Sequence, residues 1–269
     1  MTKMVKNSNK YFFIMKDYNL IDKKVNSVYN INMIYKNNND LPKDRRRKAQ
    51  IERILEVAME IVTTDSVQSL TMKNLADKLD YTPGALYRYY SSKDQIISEL
   101  QIKCIQEFNI LFDESKNKID QLINDNNIGI IAFIIEISEL FGNYAFNEPI
   151  KFLFITNTII EPKVLVNEEE SSKVANEFKN LFFKIIVPFF QAITKKIMSD
   201  GNPTERALVY ISSLQGVLQL KKISRIDSIL FDLISLRKNL TKSLLLGWGV
   251  SEENLKEAES YLLKIKIIE

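Results

Sequence analysis

The first strong periodic pattern of apolar residues lies in LPKDRRRKAQIERILEVAMEIV, residues 41–62. Apolar side chains recur there at spacings of three and four, which places them on one face of an α-helix. These residues are Ile51, Ile54, Leu55, Ala58, Ile61 and Val62. A shorter apolar face follows in SLTMKNLADKLD, residues 69–80, with Thr71 at the N-cap position. The pattern therefore predicts two helices that bury a common core.

A third helix is predicted in YTPGALYRYY, residues 81–90, although it begins with a proline and a glycine. Thr82 is the N-cap candidate, and Pro83 occupies the first helical position, where its missing N–H is not needed. Leu86 points to the core, whereas three tyrosines and an arginine crowd the end of the segment. The three helices between residues 44 and 90 have the order of a helix-turn-helix.

The rest of the chain predicts longer helices. Ser92 and Gln95 have the spacing of a capping box, and an apolar stripe follows over residues 93–112. Further helices are predicted over 128–146, 149–160, 168–199 with a kink at Pro188, 204–222, 228–246 and about 252–267. The predicted fold class is all-α: an N-terminal three-helix domain, a connecting helix and a larger helical domain.

The composition shifts along the chain predict four parts. Residues 1–40 are rich in Asn and Lys, so we expect an arm that is disordered or loosely attached. The alternative is a later translation start, at Met15 or Met33. Residues 41–92 are expected to form the helix-turn-helix domain, residues 93–250 a second helical domain, and residues 251–269 an additional C-terminal helix.

Two absences limit the chemistry of the chain. It contains no histidine, which removes the commonest general base and metal-binding imidazole. Its one cysteine, Cys104, excludes an intrachain disulfide and a cysteine-rich zinc site. We therefore expect no enzyme activity, no metal and no cofactor, and the thiol content suits a reducing cytoplasm. The apolar segment 128–146 contains Glu136 and Glu139, which favours a buried core helix over a membrane span.

The N-terminal motifs resemble those of the TetR family of transcriptional regulators. The family has an IL-x-x-A helix, matched by Ile54, Leu55 and Ala58, and an LT-x-x-x-(I/L)A helix, matched from Leu70 to Ala76. Its recognition segment resembles LYRYYSSK, Leu86–Lys93. Three positions depart from the family pattern: Ser66 and Asp80 stand where glycine is usual, and Tyr90 replaces phenylalanine. The Asp80 turn remains feasible because Asp reaches the left-handed region at a cost of about 1 kcal/mol.

The resemblance implies a DNA interface in which Thr82, Tyr87, Tyr89 and Lys93 grip phosphates. Pro83, Gly84 and Arg88 are the candidates to face bases, whereas Tyr90 is expected in the core. The basic run KDRRRK, residues 43–48, is either a solvated face or an arm along the DNA backbone or minor groove. The candidate DNA-binding residues are Arg45, Arg46, Arg47, Thr71, Lys73, Thr82, Pro83, Gly84, Ala85, Tyr87, Arg88, Tyr89 and Lys93.

The second domain carries weaker expectations. Its aromatic stripe fits a hydrophobic core, and by resemblance some of its members line a cavity for a small hydrophobic or acyl-type effector. The candidates are Phe133, Phe141, Tyr144, Phe154, Phe182 and Phe183. By the same resemblance, segments 204–222 and 228–246 form a homodimer interface.

The function implied by these expectations is that of a ligand-responsive homodimeric repressor, which binds a palindromic operator in double-stranded DNA. Two alternatives stay open. One is a DNA-binding regulator that is controlled by a protein partner or acts as an activator. The other is a helical enzyme or lipid carrier that merely contains a three-helix segment.

Overall fold

The computed structural model describes residues 41–160, 166–224, 226–227 and 232–267. Over these residues the secondary structure is helical and contains no strand, so the predicted all-α class is confirmed. The helices are α1 (Pro42–Thr64), α2 (Met72–Lys78), α3 (Pro83–Leu86), α4 (Lys93–Leu122), α5 (Asn126–Asn147), α6 (Pro149–Ile160), α7 (Glu168–Thr194), α8 (Pro203–Gln219), α9 (Lys221–Ser224), α10 (Leu233–Gly247) and α11 (Glu252–Ile267).

The chain divides into two compact units, Met1–Arg53 and Ile54–Glu269. In the first unit the described residues are 41–53, which are helical from Pro42. The predicted arm at residues 1–40 lies outside the described residues. The second unit contains the rest of α1 and all later helices. The domain boundaries expected at residues 92 and 250 remain predictions.

Helix α4 is the longest helix in the described part of the chain and extends from Lys93 to Leu122. The predicted end at residue 112 is wrong. The polar segment that follows lacks a helix breaker, and Ile119 continues the buried face for two further turns. Thirty residues correspond to a rod of about 45 Å. Helices α5, α6 and α7 all pack against it.

Helix α5 is long and apolar enough to span a membrane, and 78% of its most apolar window is buried inside the protein. It packs against α4, α7 and the C-terminal helix α11. Its burial agrees with the core helix that Glu136 and Glu139 predict. Glu139 is itself buried and pairs with an arginine from α10.

Edge-to-face aromatic contacts fill the space between α4, α5 and α6. The Phe108 ring lies 5.2 Å from Phe141 and 5.1 Å from Tyr144, centroid to centroid. Phe112 packs on Phe133 at 4.9 Å, and Phe152 extends the cluster at 5.9 Å from Phe141. Pairs at this geometry stabilise a core beyond their area burial.

A buried ion pair ties α10 to α5. Arg237 is 2% exposed, and its guanidinium lies 3.2 Å from Glu139 Oε1 and donates to the carbonyl oxygen of Ser138. Gly142 leaves room for the guanidinium, because a Cβ at this position would lie 2.6 Å from its carbon and would force it to shift. The contact fixes where α10 lies on α5.

Among the helices after α4, three predicted boundaries differ from the structure by three residues or more. Helix α7 continues through Pro188 but ends at Thr194 rather than residue 199, since Lys196 takes the left-handed conformation at φ 61°. Helix α8 ends at Gln219 instead of residue 222. Helix α10 begins at Leu233, capped by Asp232, rather than at residue 228.

Glu139→Gln keeps the side-chain volume but removes the charge that faces Arg237. Because a buried guanidinium then loses its counter-charge, we expect the free energy of unfolding to fall by about 3 kcal/mol. The measurement is urea denaturation followed by circular dichroism. Glu252→Gln is the matched control, because its pair with Lys256 at 3.7 Å is exposed and should contribute less than about 1 kcal/mol. Equal losses in the two variants would contradict the expectation.

Candidate nucleic-acid interface

The N-terminal helices of the second unit are held by the caps that the sequence predicts. Thr71 Oγ1 accepts the backbone N–H of Asn74 at 3.0 Å at the start of α2. Thr82 Oγ1 accepts the N–H of Ala85 at 3.2 Å at the start of α3, with Pro83 at its first position. Thr71 and Lys73 are both exposed. Both predicted N-caps are therefore confirmed.

The turn between α2 and α3 has the left-handed conformation that is expected at Asp80, where the TetR family usually has glycine. Asp80 adopts the left-handed conformation, with φ 56°. The N–H of Tyr81 reaches back to the carbonyl oxygen of Ala76 at 2.9 Å and closes the end of α2. Ser66, the other position where the family has glycine, needs no positive φ. Its hydroxyl instead accepts the N–H of Ser69 at 3.2 Å.

We call residues Thr82–Tyr89 the reading segment. Its regular helix is a single turn, Pro83–Leu86, followed by hydrogen-bonded turns to Tyr89. The prediction of one helix through residue 90 is therefore wrong in its extent. Tyr87 and Arg88 lie beyond the end of α3, although backbone bonds such as Tyr87 N–H to Pro83 O at 3.1 Å keep the chain coiled.

The reading segment presents a polar and aromatic surface. Tyr87 is 53% exposed, and Thr82, Pro83, Gly84 and Arg88 are exposed as well. Ala85 and Tyr89 are half-buried, whereas Leu86 is buried. A Cβ built on Gly84 meets no atom within 4 Å. The fold of this chain therefore gives no packing reason for a glycine at this position.

Tyr90 lies in the core, as predicted, and its additional hydroxyl has a partner. The Tyr90 side chain is 1% exposed, and its hydroxyl donates to Glu99 Oε2 at 2.6 Å. Burial and the neighbouring carboxylate raise the pKa of Tyr90 far above the usual range. Glu99 did not emerge from the sequence, although the replacement of the usual phenylalanine by tyrosine was the signal for such a partner.

The remaining candidate cations lie in different surroundings. Lys93 is half-buried, and its Nζ donates to the carbonyl oxygen of Val67 at 3.1 Å. An ammonium has two further N–H groups, so this bond leaves donors for a phosphate. Arg45, Arg46 and Arg47 are exposed and belong to the first turns of α1 rather than to an irregular arm.

The candidate effector residues divide into two groups. Phe133, Phe141, Tyr144 and Phe154 are buried, whereas Phe182 and Phe183 are half-buried. The Tyr144 hydroxyl is buried without a hydrogen-bond partner among the described residues. Burial raises the pKa of the Cys104 thiol to about 12, so the thiolate is not available for chemistry. The assignment of these residues to an effector remains a prediction.

A cavity of about 410 Å³ lies at the turn from α4 to α5. Its lining is mainly polar and includes Lys116, Asp120, Asn126 and Gln191. Lys116 pairs with Asp120 and also lies 5.5 Å from the centre of the Phe133 ring. The described residues contain no group of acidic, cysteine or histidine side chains that could hold a metal ion.

Helices α8 and α10 have exposed apolar residues in addition to their buried faces. On α8, Leu208 and Val209 are 45% and 48% exposed, and Gly216, about two turns later, has open space around it. On α10, Ile234 and Leu236 are 53% and 41% exposed. Residues 228–231, the first part of the predicted interface segment 228–246, lie outside the described residues.

Comparison of the sequence with known proteins finds matches in the N-terminal part of the chain. The sequence profile of the bacterial regulatory proteins of the tetR family matches residues 54–100. The uncharacterized HTH-type transcriptional regulators Rv0767c of Mycobacterium tuberculosis and Mb0790c of Mycobacterium bovis are each 28% identical over 74 residues. These matches span 25% of this chain and 35% of each relative, so the similarity covers about a third of the relatives' length.

Solved structures resemble the chain over a longer range. The MbdR regulator from Azoarcus sp. CIB has a TM-score of 0.52 at 17% identity, covering 74% of this chain and 97% of its own. The fatty acid degradation regulator FadR from Bacillus halodurans has a TM-score of 0.53 at 13% identity, covering 72% and 97%. A protein of unknown function from Rhodococcus sp. RHA1 reaches 0.58 at 12% identity, covering 74% and 94%. At these identities they show a common fold.

The N-caps at Thr71 and Thr82, the turn at Asp80 and the exposed reading segment together form a helix-turn-helix domain of the kind found in bacterial regulators. Residues 54–100 match the N-terminal domain of the TetR family, and the resemblance inferred from the sequence motifs is confirmed over these residues.

Asp80→Val should lower the free energy of unfolding by about 1–2 kcal/mol, because a β-branched residue is strained at positive φ. Asp80→Gly should cost less, since glycine adopts this conformation freely. Urea denaturation of the variants checks the order. Asp77→Val, at an exposed position inside α2, is the control for the valine itself. If Asp77→Val destabilises as much as Asp80→Val, the turn is not strained.

Proposed function

We propose that the protein is a homodimeric transcriptional regulator that binds double-stranded DNA through the reading segment and acts as a repressor in the cytoplasm. The observation that best supports this proposal is an exposed surface in the helix-turn-helix domain, which matches that of the TetR family. The residues of this surface are Thr82, Pro83, Gly84, Tyr87 and Arg88. A packed core does not account for this surface, and a DNA groove does.

Gly84 is the residue that best separates folding from DNA binding. It has no positive φ and no neighbour that a side chain would strike, yet it stands inside a helix, where glycine costs about 0.5–1 kcal/mol relative to alanine. Close approach of another surface to the backbone supplies the missing reason. Pro83 and Ala85 beside it are also small, which suits insertion into a major groove.

The polar side chains have distinct roles in this proposal. Arg88 reads a base, because its guanidinium can bond guanine at two atoms, a contact worth about 1–3 kcal/mol of discrimination. Tyr87 and Tyr89 donate to phosphates, together with Thr82 and Lys93. Thr71 and Lys73 at the start of α2 contribute further phosphate contacts.

The basic residues Arg45, Arg46 and Arg47 are proposed to bind the DNA backbone or minor groove. Their charges are exposed in the first turns of α1. The net charge of +3 for the whole chain is small, so the attraction to DNA depends on such local clusters. Their contribution should vary strongly with salt.

Dimerisation is proposed to use α8 and α10. Leu208, Val209, Ile234 and Leu236 are more than a third exposed in the single chain, and a second copy that covers them removes this apolar area from water. Gly216 permits close approach of helices. Two reading segments would then meet two half-sites of a palindromic operator.

The effector is proposed to be a small hydrophobic or acyl-type molecule that enters among the aromatic residues of α4, α5 and α6. The unpartnered Tyr144 hydroxyl supports this choice, because an acyl carbonyl oxygen would accept its hydrogen bond. A buried unpaired donor costs about 1–3 kcal/mol, which such a ligand would recover. The tight contacts of Phe108 with Phe141 and Tyr144 require the cluster to open first.

The same tight contacts favour a second candidate function, a DNA-binding regulator controlled by a protein partner. In that case the aromatic cluster stays closed, and the signal arrives at an exposed surface. The two functions share the DNA interface and differ in whether an acyl compound changes the DNA affinity.

Gly84→Ala should raise the stability of the protein slightly and lower its affinity for DNA. The added Cβ has open space in the free protein but would occupy the surface that faces the groove. We expect the affinity to fall about tenfold, equivalent to about 1.4 kcal/mol. The measurement is fluorescence anisotropy with a duplex obtained by selection from random sequences.

Gly247→Ala is the matched control for this experiment, because an added Cβ meets no atom there either and Gly247 ends α10 about three turns beyond Leu236, the nearest apolar residue proposed to meet the partner. It should leave DNA affinity unchanged. If Gly84→Ala binds DNA with wild-type affinity, the reading segment does not lie in the DNA interface.

Gly216→Arg should convert the dimer to a monomer, because the long charged side chain projects from the face that is proposed to meet the partner. Analytical ultracentrifugation should give twice the chain mass of 31.3 kDa for the wild type and the single chain mass for the variant. Ser260→Arg, at an exposed position of α11, is the control and should remain dimeric. If Gly216→Arg remains dimeric, the dimer interface does not include this face of α8.

A further inference from the structure

The reading segment has too little helix of its own to fix its orientation. Its single regular turn ends at Leu86, and beyond it the chain is held by backbone bonds from Tyr89 N–H and Tyr90 N–H to Leu86 O, at 2.9 and 3.2 Å. Two buried side chains anchor the segment, Leu86 within it and Tyr90 directly after it. Tyr87 and Arg88 lie between these anchors, so their direction depends on where the anchors are held.

Tyr90 is held by more than its ring. Its hydroxyl donates to Glu99 Oε2 at 2.6 Å, and Glu99 lies in the second turn of α4. A hydrogen bond from a hydroxyl to a carboxylate is short and is about twice as strong as a bond between neutral groups. Glu99 itself is half-buried.

The connection between the reading segment and α4 is short and is also fixed. Ser92 caps α4 by accepting the N–H of Gln95 at 3.2 Å, and Gln95 Oε1 accepts the N–H of Ser91 at 3.0 Å. Lys93 reaches the Val67 carbonyl in the loop after α1. These bonds set the path of the backbone, and the Tyr90–Glu99 bond ties the end of the segment to α4 itself.

We propose that Tyr90 and Glu99 form a positioning pair that sets the angle between the reading segment and α4 and thereby the affinity for DNA, without contact to DNA. The inference rests on the proposed DNA-binding function and adds a determinant of its strength. Phenylalanine at residue 90 would fill the same space but leave the Glu99 carboxylate without this donor.

A double-mutant cycle tests the pair. Tyr90→Phe and Glu99→Ala should each lower the affinity for the selected duplex about tenfold, the scale of one charge-assisted hydrogen bond. The double variant should bind no more weakly than the weaker single variant, because both changes remove the same bond. Glu99→Gln should restore part of the affinity, since its amide oxygen still accepts from the hydroxyl.

The salt dependence distinguishes positioning from contact. Since no phosphate contact is lost, the slope of log K against log salt should stay at the wild-type value in all four variants. A slope reduced by about one unit in Tyr90→Phe would show a direct phosphate contact and overturn the proposal. All affinities are measured far below the melting temperature of each variant. A lower melting temperature with wild-type affinity would make the pair purely structural and would also overturn it.

Arg88→Ala separates this inference from the function on which it rests. If Arg88→Ala weakens binding and Tyr90→Phe does not, the positioning pair fails while the DNA-binding function stands. If the wild-type protein selects no duplex at all, the proposed function fails, and the inference fails with it.

Discussion

Burial of one face of α4 against α5, α6 and α7 is the constraint on which the rest of the structure depends. The face begins at Ile96 and Ile97, directly after the helix-turn-helix domain, and continues to Ile119. Because a helix transmits displacement along its axis, its first turns cannot move independently of the aromatic core around Phe108 and Phe112. The domain that carries the reading segment is therefore joined to the larger helical body by a stiff element and not by a flexible linker.

Polar contacts make this joint specific. Asp94 Oδ2 accepts the N–H of Asn167 at 3.1 Å, Ser98 donates to the Glu170 carbonyl at 3.5 Å, and Gln101 donates to the Phe154 carbonyl at 3.3 Å. These three side chains lie on one face of the first turns of α4 and reach α6 and the start of α7. In the proposed regulator, a ligand that moves α6 or α7 would act on these bonds. Reversal of a 99:1 preference requires about 5.5 kcal/mol of differential affinity, more than one such bond supplies. The aromatic repacking would have to contribute the remainder.

The sequence predicted the parts of the fold that local rules determine. N-caps at Thr71 and Thr82, the left-handed turn at Asp80 and the burial of Tyr90 follow from capping chemistry, backbone sterics and the resemblance to the TetR family, and the structure confirms them. Long-range contacts were not predictable, because no local signal pairs Glu99 with Tyr90 or Glu139 with Arg237. The predicted end of α4 at residue 112 was wrong because the residues that follow it are mostly polar, although Ile119 among them is still buried. The roles of single residues in DNA or effector binding depend on a partner and stay predictions.

Residues that the stability of the chain does not explain are informative about that partner. Asp80 is in a conformation that a glycine would adopt with less strain, and Gly84 occupies a helical position that alanine would fill at lower cost. Tyr87 exposes half of an aromatic side chain two residues before a tyrosine that is half-buried. Each feature alone is ordinary, but they fall within ten consecutive residues, in the reading segment and the turn before it. The fold alone does not explain this combination, and in the proposed regulator its reason is the surface that the segment meets, a groove of a double helix.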